Sequence, residues 1–224
     1  MFRGLNLLNL EALKGISVNR CLEVLRLKPR SIVTLRVEKL SGKCLVEKDN
    51  DIINRNFVVL LYHGMANYEP STTSPSVTVT TTAGSSYSGY VGSYGSAARY
   101  LRNGALFAVS QGDVGVDTCG ILIGSGTTPP TRTDYNLQSK IPHGTGTGQI
   151  YYQRQTYELL NDYQFRFTRE FTNAGSDLSV AEAGIVYITY HADVARYLLL
   201  VRDTFTPITV TQGNGIRVKY TFSF

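Results

Sequence analysis

The chain has 224 residues, 42% hydrophobic and 17% charged, which is enough apolar side chain to bury a core and argues against disorder throughout. Its 15 Tyr, 9 Phe and absence of Trp favour β-sheet. The net charge of +5 is concentrated in residues 1–56, which hold 11 of the 22 Lys and Arg but only 6 of the 17 acids. Nucleic acid, an anionic membrane surface and an acidic neighbouring subunit all suit such a segment, as does an ordinary solvated surface.

Targeting and redox signals are few. No apolar run approaches the roughly 18–20 residues that span a bilayer. The leucine-rich N-terminus contains Glu11 and Lys14 and lacks a small-residue cleavage site, so we interpret it as mature protein. Cys21, Cys44 and Cys119 have no CxxC spacing, which disfavours a disulfide framework or a structural zinc site. We expect free thiols in a chain made in the cytoplasm, with a Cys21–Cys44 bridge as the alternative.

Residues 1–48 are predicted to form a basic N-terminal arm with short strands. The LxxLxL spacing occurs at residues 5–10 and 22–27, which is too few copies for a leucine-rich solenoid. Residues 31–47 alternate apolar and polar side chains around a Ser-Gly turn, which predicts two strands. The candidate contact residues of the arm are Arg20, Arg26, Lys28 and Arg30.

The segment after the arm changes character twice. Apolar residues at helical spacing from Ile53 to Leu61 predict a helix capped by Asn50 or Asp51. Residues 69–96 then predict a strand that leads into a long Gly/Ser/Tyr loop. Such a loop is either a flexible linker or, as we favour, a contact loop packed on a neighbour, because Tyr among Ser and Gly binds surfaces adaptably. The candidate contact residues of this loop are Tyr87, Tyr90, Tyr94 and Tyr100.

The second half predicts strand after strand. Short apolar or alternating segments are separated by turn signals, with no amphipathic helix between them. This pattern predicts an all-β antiparallel sandwich, a single jelly roll, over residues 49–224, with at most one or two short helices in the chain. The predicted strands are at 105–109, 119–123, 149–157, 163–172, 184–190, 196–201, 207–211 and 215–224.

Three local patterns predict turns or bends. Asp134 is placed where its carboxylate can bind nearby backbone, and Gly184 permits a bend or close approach within a strand. Asn214-Gly215 suits the positive φ angles of a tight hairpin.

No catalytic constellation emerges, and we expect neither an enzyme nor a cofactor. Gly124-Ser125-Gly126 follows an apolar run as a phosphate loop would, but Pro129-Pro130 prevents a helix from starting there, so a tight turn is predicted. The three histidines lack metal-binding spacing. A carboxylate pair drawn from Asp177, Glu182 and Asp193 is no more specific than in any strand-rich chain.

Three stretches resemble a group of virion structural proteins of archaeal viruses and phages: residues 124–137 (GSGTTPPTRTDYNL), residues 171–187 (FTNAGSDLSVAEAGIVY) and residues 198–220. The likeness covers most of the C-terminal half, and residues 50–60 weakly. Length, basic arm and Tyr-rich composition are further similar to the vertex (penton base) proteins of turreted icosahedral archaeal viruses.

The resemblance implies a capsid vertex subunit located in the virion. It implies a homo-oligomer, with a pentamer favoured, that contacts the major capsid protein and turret proteins. The arm would then contact the viral membrane or nucleic acid. A tail fibre or a receptor- or glycan-binding domain is the alternative.

Overall fold

A computed structural model of the chain describes residues 33–50, 53–59, 77–92, 100–102, 112–191 and 194–223. Within these ranges residues 55–59 are helical, and the other regular elements are strands. The strands are β1 (Val33–Lys39), β2 (Cys44–Asn50), β3 (Val77–Thr80), β4 (Ser86–Gly92), β5 (Tyr100–Arg102), β6 (Gly120–Gly124), β7 (Tyr151–Tyr152), β8 (Thr156–Asn161), β9 (Gln164–Thr172), β10 (Leu178–His191), β11 (Val194–Val210) and β12 (Gly215–Ser223).

In the described part of the chain these strands form two main sheets and a small one. The larger sheet has the order β2-β1-β12-β9-β7, and β8 also pairs with β9. The second sheet has the order β11-β10-β6, and the pairs in both main sheets are antiparallel. The small sheet joins β3, β4 and β5, with β4 and β5 parallel. The predicted all-β, mainly antiparallel fold is confirmed.

The core lies where the two main sheets present apolar side chains to each other. In β1, Val33, Leu35 and Val37 are fully buried, while Thr34 and Arg36 between them are only half-buried. This is the period-two pattern of a strand with one buried face. β12 continues the same face, and apolar residues of β6, β10 and β11 complete one cluster with it.

The predicted arm boundary at residues 48 and 49 falls inside β2. β1 pairs with β2 on one side and, over its whole length, with β12 on the other. Residues 33–48 are therefore part of the larger sheet rather than of an appended arm, because the buried side chains of β1 require β12 beside them. The predicted strand pair and its turn are confirmed, with Gly42 in the turn at φ 90°. Residues 1–32 lie outside the described residues.

The helix predicted after the arm is present, but its predicted caps are wrong. Residues 55–59 are helical, and the carbonyl of Asn54 accepts the first helical hydrogen bond from Val58. Asn50 instead belongs to β2, where it pairs with Val33. Asp51 lies outside the described residues.

Most of the predicted strands of the second half are confirmed, with two changes. The segments at 196–201 and 207–211 are one continuous strand, β11, which pairs with β10. The segment at 149–157 is interrupted between β7 and β8. The strand predicted at 105–109 lies outside the described residues.

The predicted hairpin at Asn214-Gly215 is wrong in two respects. The positive φ of 79° belongs to Gly213, in a turn closed by a hydrogen bond from the Asn214 N–H to the Thr211 carbonyl. The turn joins β11 to β12, which belong to different sheets, so it crosses the sandwich and does not form a hairpin.

Candidate functional site

The Gly-Ser-Gly segment does contact an anion, through the N–H of Gly126, and that anion is the protein's own Glu182. The carboxylate is fully buried. Oε1 accepts hydrogen bonds from the N–H groups of Gly126 (3.1 Å) and Ser139 (2.7 Å), and Oε2 accepts one from that of Gln138 (3.0 Å). The segment leaves β6, but the predicted tight turn is wrong: the Ser125 N–H donates to the Ser139 carbonyl, and the Gly126 N–H donates to the internal carboxylate.

Strand pairing explains why glycine is needed opposite Glu182. Gly124 is its direct partner across the β10–β6 ladder, so a side chain there would lie on the same face as the carboxylate. A Cβ at Gly124 would overlap Glu182 Oε1 and lie 2.5 Å from the Ser139 carbonyl oxygen. The glycine thus makes space for the buried acid.

Arg202 completes the charge network. Its Nε donates to Glu182 Oε2 at 2.9 Å, its Nη1 to Asp134 Oδ2 at 2.7 Å and its Nη2 to the Thr128 carbonyl at 3.1 Å. Burial alone would raise the pKa of Asp134, but the Thr131 hydroxyl and N–H and the Arg202 guanidinium lower it below its ordinary 3.8. The predicted local contact of Asp134 is confirmed by these Thr131 bonds.

This network leaves Glu182 poorly suited to chemistry on a ligand. The carboxylate has four donors around it and no exposed surface. A general acid or base must reach its substrate within hydrogen-bond distance. The arrangement instead fastens residues 124–139 to the second sheet.

A second buried cation, Arg169 of β9, fastens a different loop. All of its hydrogen bonds go to backbone carbonyls: four in residues 113–121, which lead into β6, and one between β7 and β8. Burial lowers the pKa of Arg169 from 12.5 to about 10, so it stays charged at neutral pH. The guanidinium also lies 4.8 Å from the centre of the Tyr152 ring. The acceptors are the carbonyls of Asp113, Val116, Cys119, Ile121 and Gln153.

Two further clusters of polar side chains tie the sheets or their strands together. Between the sheets, the Tyr220 hydroxyl donates to Asp203 Oδ2 at 3.1 Å, and Lys48 Nζ lies 3.5 Å from Asp203 Oδ1. On the outer face of the larger sheet, Glu38 binds Arg217 at 3.1 Å and Lys219 at 2.5 Å. Both clusters join strands that are distant in sequence.

Among the described residues, the large apolar side chains with the highest exposed fractions lie on one hairpin. Tyr157 and Leu159 in β8 are 71% and 76% exposed, and Tyr163 in the following turn is 50% exposed. In the pairing with β9, Tyr157 stands opposite Phe167 and Leu159 opposite Phe165. Both therefore lie on the face of the larger sheet that is buried at Phe167, but at β8 this face is exposed. We call Tyr157, Leu159 and Tyr163 the β8 apolar strip.

The predicted contact residues are only partly described. Arg20, Arg26, Lys28, Arg30 and Tyr94 lie outside the described residues. Tyr87 packs beneath Arg196, with 4.3 Å from the guanidinium carbon to the ring centre.

The predicted loop is wrong for residues 86–92 and for Tyr100. These belong to strands β4 and β5, whose backbones pair Tyr90 with Tyr100. The Tyr-rich segment has the β-propensity to form strands, which its Gly and Ser content obscured.

Sequence signals differ in strength for the groups described above. Glu182 is one of three candidate acids in the sequence, since nothing local marks a carboxylate as buried. Alternation along β8 places Tyr157 and Leu159 on one face, but the partner strand that covers or exposes this face is not readable from β8 itself.

Two features are absent from the described residues. They contain no group of three His, Cys, Asp or Glu side chains arranged to hold a metal ion. No helix among them has the length and apolar character to cross a bilayer. Comparison with protein-family models, curated proteins and solved structures finds no match to this chain.

Proposed function

We propose that the chain is a virion structural protein, a capsid vertex subunit that assembles as a cyclic oligomer, with a pentamer favoured. The observation that carries the proposal is how the buried charged groups of the described residues are used. Glu182, Arg202 and Arg169 all bind the protein's own loops and strands. This suits a rigid assembly unit better than a catalyst, whose charged groups face a cleft.

The sequence resemblance supplies the identity of the assembly. Residues 124–137, 171–187 and 198–220, which resemble virion structural proteins, map onto the charge network, β10, β11 and β12. We propose that the two main sheets belong to a single jelly roll. In the assembled ring the basic arm would reach the viral membrane or nucleic acid, and the subunit would contact the major capsid and turret proteins.

Oligomeric mass tests this proposal directly. Light scattering on the purified full chain at several salt concentrations should give a mass of five subunits or a multiple of five, because a head-to-tail contact that closes on itself forms a ring. A trimer would favour the alternative of a tail fibre or receptor-binding domain. A monomer at every salt concentration would contradict a subunit that assembles by itself.

A further inference from the structure

The β8 apolar strip carries an inference about how two copies of the chain meet. β8 is almost wholly exposed, and in the described part of the chain it pairs only with β9, so among these residues its other backbone edge has no strand beside it. An exposed edge beside exposed apolar side chains is the arrangement in which a second strand adds to a sheet. The proposed ring needs head-to-tail contacts, whereas this edge has features of a two-fold contact.

The size of the strip suits the centre of a protein interface. With about 200 Å² for each tyrosine and somewhat less for leucine, exposures of 71%, 76% and 50% leave on the order of 400 Å² of mainly apolar surface. A stable interface buries about 800 Å² on each partner, with an apolar centre and a polar rim. The strip would supply about half of that area, and the flanking polar residues the rest.

The charges around the strip disfavour a polyanion as the occupant. Residues 151–166 contain Arg154 and Arg166 against Glu158 and Asp162, so the hairpin is neutral. Arg166 already lies 3.2 Å from Glu158, and Arg154 lies 3.1 Å from Asp113. Binding to nucleic acid or to anionic lipid relies on an excess of Lys and Arg, which this hairpin does not have.

The same charges are self-complementary about Glu158. Tyr157 and Leu159 are each one residue from it, and Arg154 and Asp162 are each four residues from it, with opposite signs. Two antiparallel copies of β8 centred on Glu158 would place Tyr157 opposite Leu159 of the second copy, and Arg154 near its Asp162. The facing Glu158 side chains lie on the other face, where each is paired with its own Arg166.

We propose that β8 forms a two-fold, edge-to-edge contact with β8 of a second copy of this chain. The contact joins two larger sheets and buries both apolar strips. It is separate from the closure of the proposed ring and does not depend on it. If rings also form, the two-fold contact pairs them.

Sedimentation velocity of the full chain over a concentration series tests the contact. Wild type should form dimers, or paired rings, and Leu159→Asp should halve that mass, with a dissociation constant raised at least about tenfold as for an interface hot spot. Val194→Asp is the matched control, since Val194 is an apolar residue 49% exposed on the other main sheet, and its mass should not change. Circular dichroism confirms that both variants fold.

Charge reversal tests the register. Arg154→Asp and Asp162→Arg should each weaken the dimer, and the double variant should recover it, because the pair is restored with opposite signs. A Leu159→Asp protein with the mass of wild type, or a double variant weaker than both single ones, would overturn the proposal. A pentamer insensitive to Leu159→Asp would leave the ring proposal standing and refute this contact alone.

Discussion

Glu182 is held by four donors that come from three separate parts of the chain. Gly126 follows directly after β6, Gln138 and Ser139 lie further along the connection from β6 to β7, and Arg202 lies in β11. A buried ion whose partner is removed is more costly than a lost surface pair, because the remaining charge stays desolvated. The stability of this part of the protein therefore depends on a single carboxylate.

Replacing Glu182 with Gln should lower the free energy of unfolding by about 3–5 kcal/mol, because Arg202 would keep only Asp134 as a counter-ion. Urea denaturation at neutral pH measures the change. Glu47→Gln is the control, since Glu47 is 56% exposed and pairs with the half-buried Arg36, and it should cost at most about 1 kcal/mol. Equal losses in the two variants would show that burial of the network adds nothing.

Residues differ in how far the sequence predicts them. The Thr131 contacts of Asp134 are local, three residues apart, and were predicted from turn chemistry. The five carbonyl partners of Arg169 lie 16 to 56 residues away, and no rule of spacing connects them. Long-range polar contacts become visible only when the strand order is known.

Strands, like single residues, are predicted well from a local pattern and poorly where their bounds depend on tertiary contacts. β12 alternates cleanly, and this alternation predicts its bounds almost to the residue. The sequence predicts two strands in place of β11, because Arg202 and Asp203 interrupt its apolar run. It is continuous because both side chains are buried against partners, Arg202 on Glu182 and Asp203 on Tyr220. The two polar residues therefore do not end β11, because their side chains have partners in the protein interior.

Gly124 at the end of β6 is expected to tolerate no side chain. The Cβ of alanine would overlap Glu182 and approach the Ser139 carbonyl, neither of which can withdraw without losing hydrogen bonds. Gly124→Ala should therefore cost about 1–3 kcal/mol or more, the range for overpacking. Thermal unfolding followed by circular dichroism gives the measurement.

Gly146→Ala is the matched control for Gly124→Ala. The nearest atom to its added Cβ is Gln149 Oε1 at 3.0 Å, which is the end of a flexible side chain, and Gly146 has no positive φ. We expect a change of less than about 0.5 kcal/mol, as for ordinary surface substitutions. A Gly124→Ala variant as stable as Gly146→Ala would mean that the cradle around Glu182 adjusts freely.

At the scale of the whole molecule, two sheets enclose one apolar core, and ionised groups connect the strands at its periphery. Glu38 on the outer face of the larger sheet binds Arg36, Arg217 and Lys219, which lie in β1 and β12. Burial alone would raise the pKa of Glu38, but hydrogen bonds from Lys219, Arg217 and Arg36 lower it from 4.5 to about 2. The pKa of Asp117 is also lowered, since contacts with the His143 N–H and Lys140 outweigh its burial.

These lowered pKa values predict how the whole fold responds to acid. A carboxyl group whose pKa is lower in the folded state stabilises the fold above its unfolded pKa, and this contribution is lost as pH falls through the folded value. For Glu38 the loss should therefore begin near pH 4.5 and be complete only below about pH 2. Glu38→Gln removes the titrating group, so its free energy of unfolding, measured in urea at several pH values, should fall less steeply across this window than that of wild type. A Glu38→Gln slope equal to that of wild type would place the acid sensitivity elsewhere.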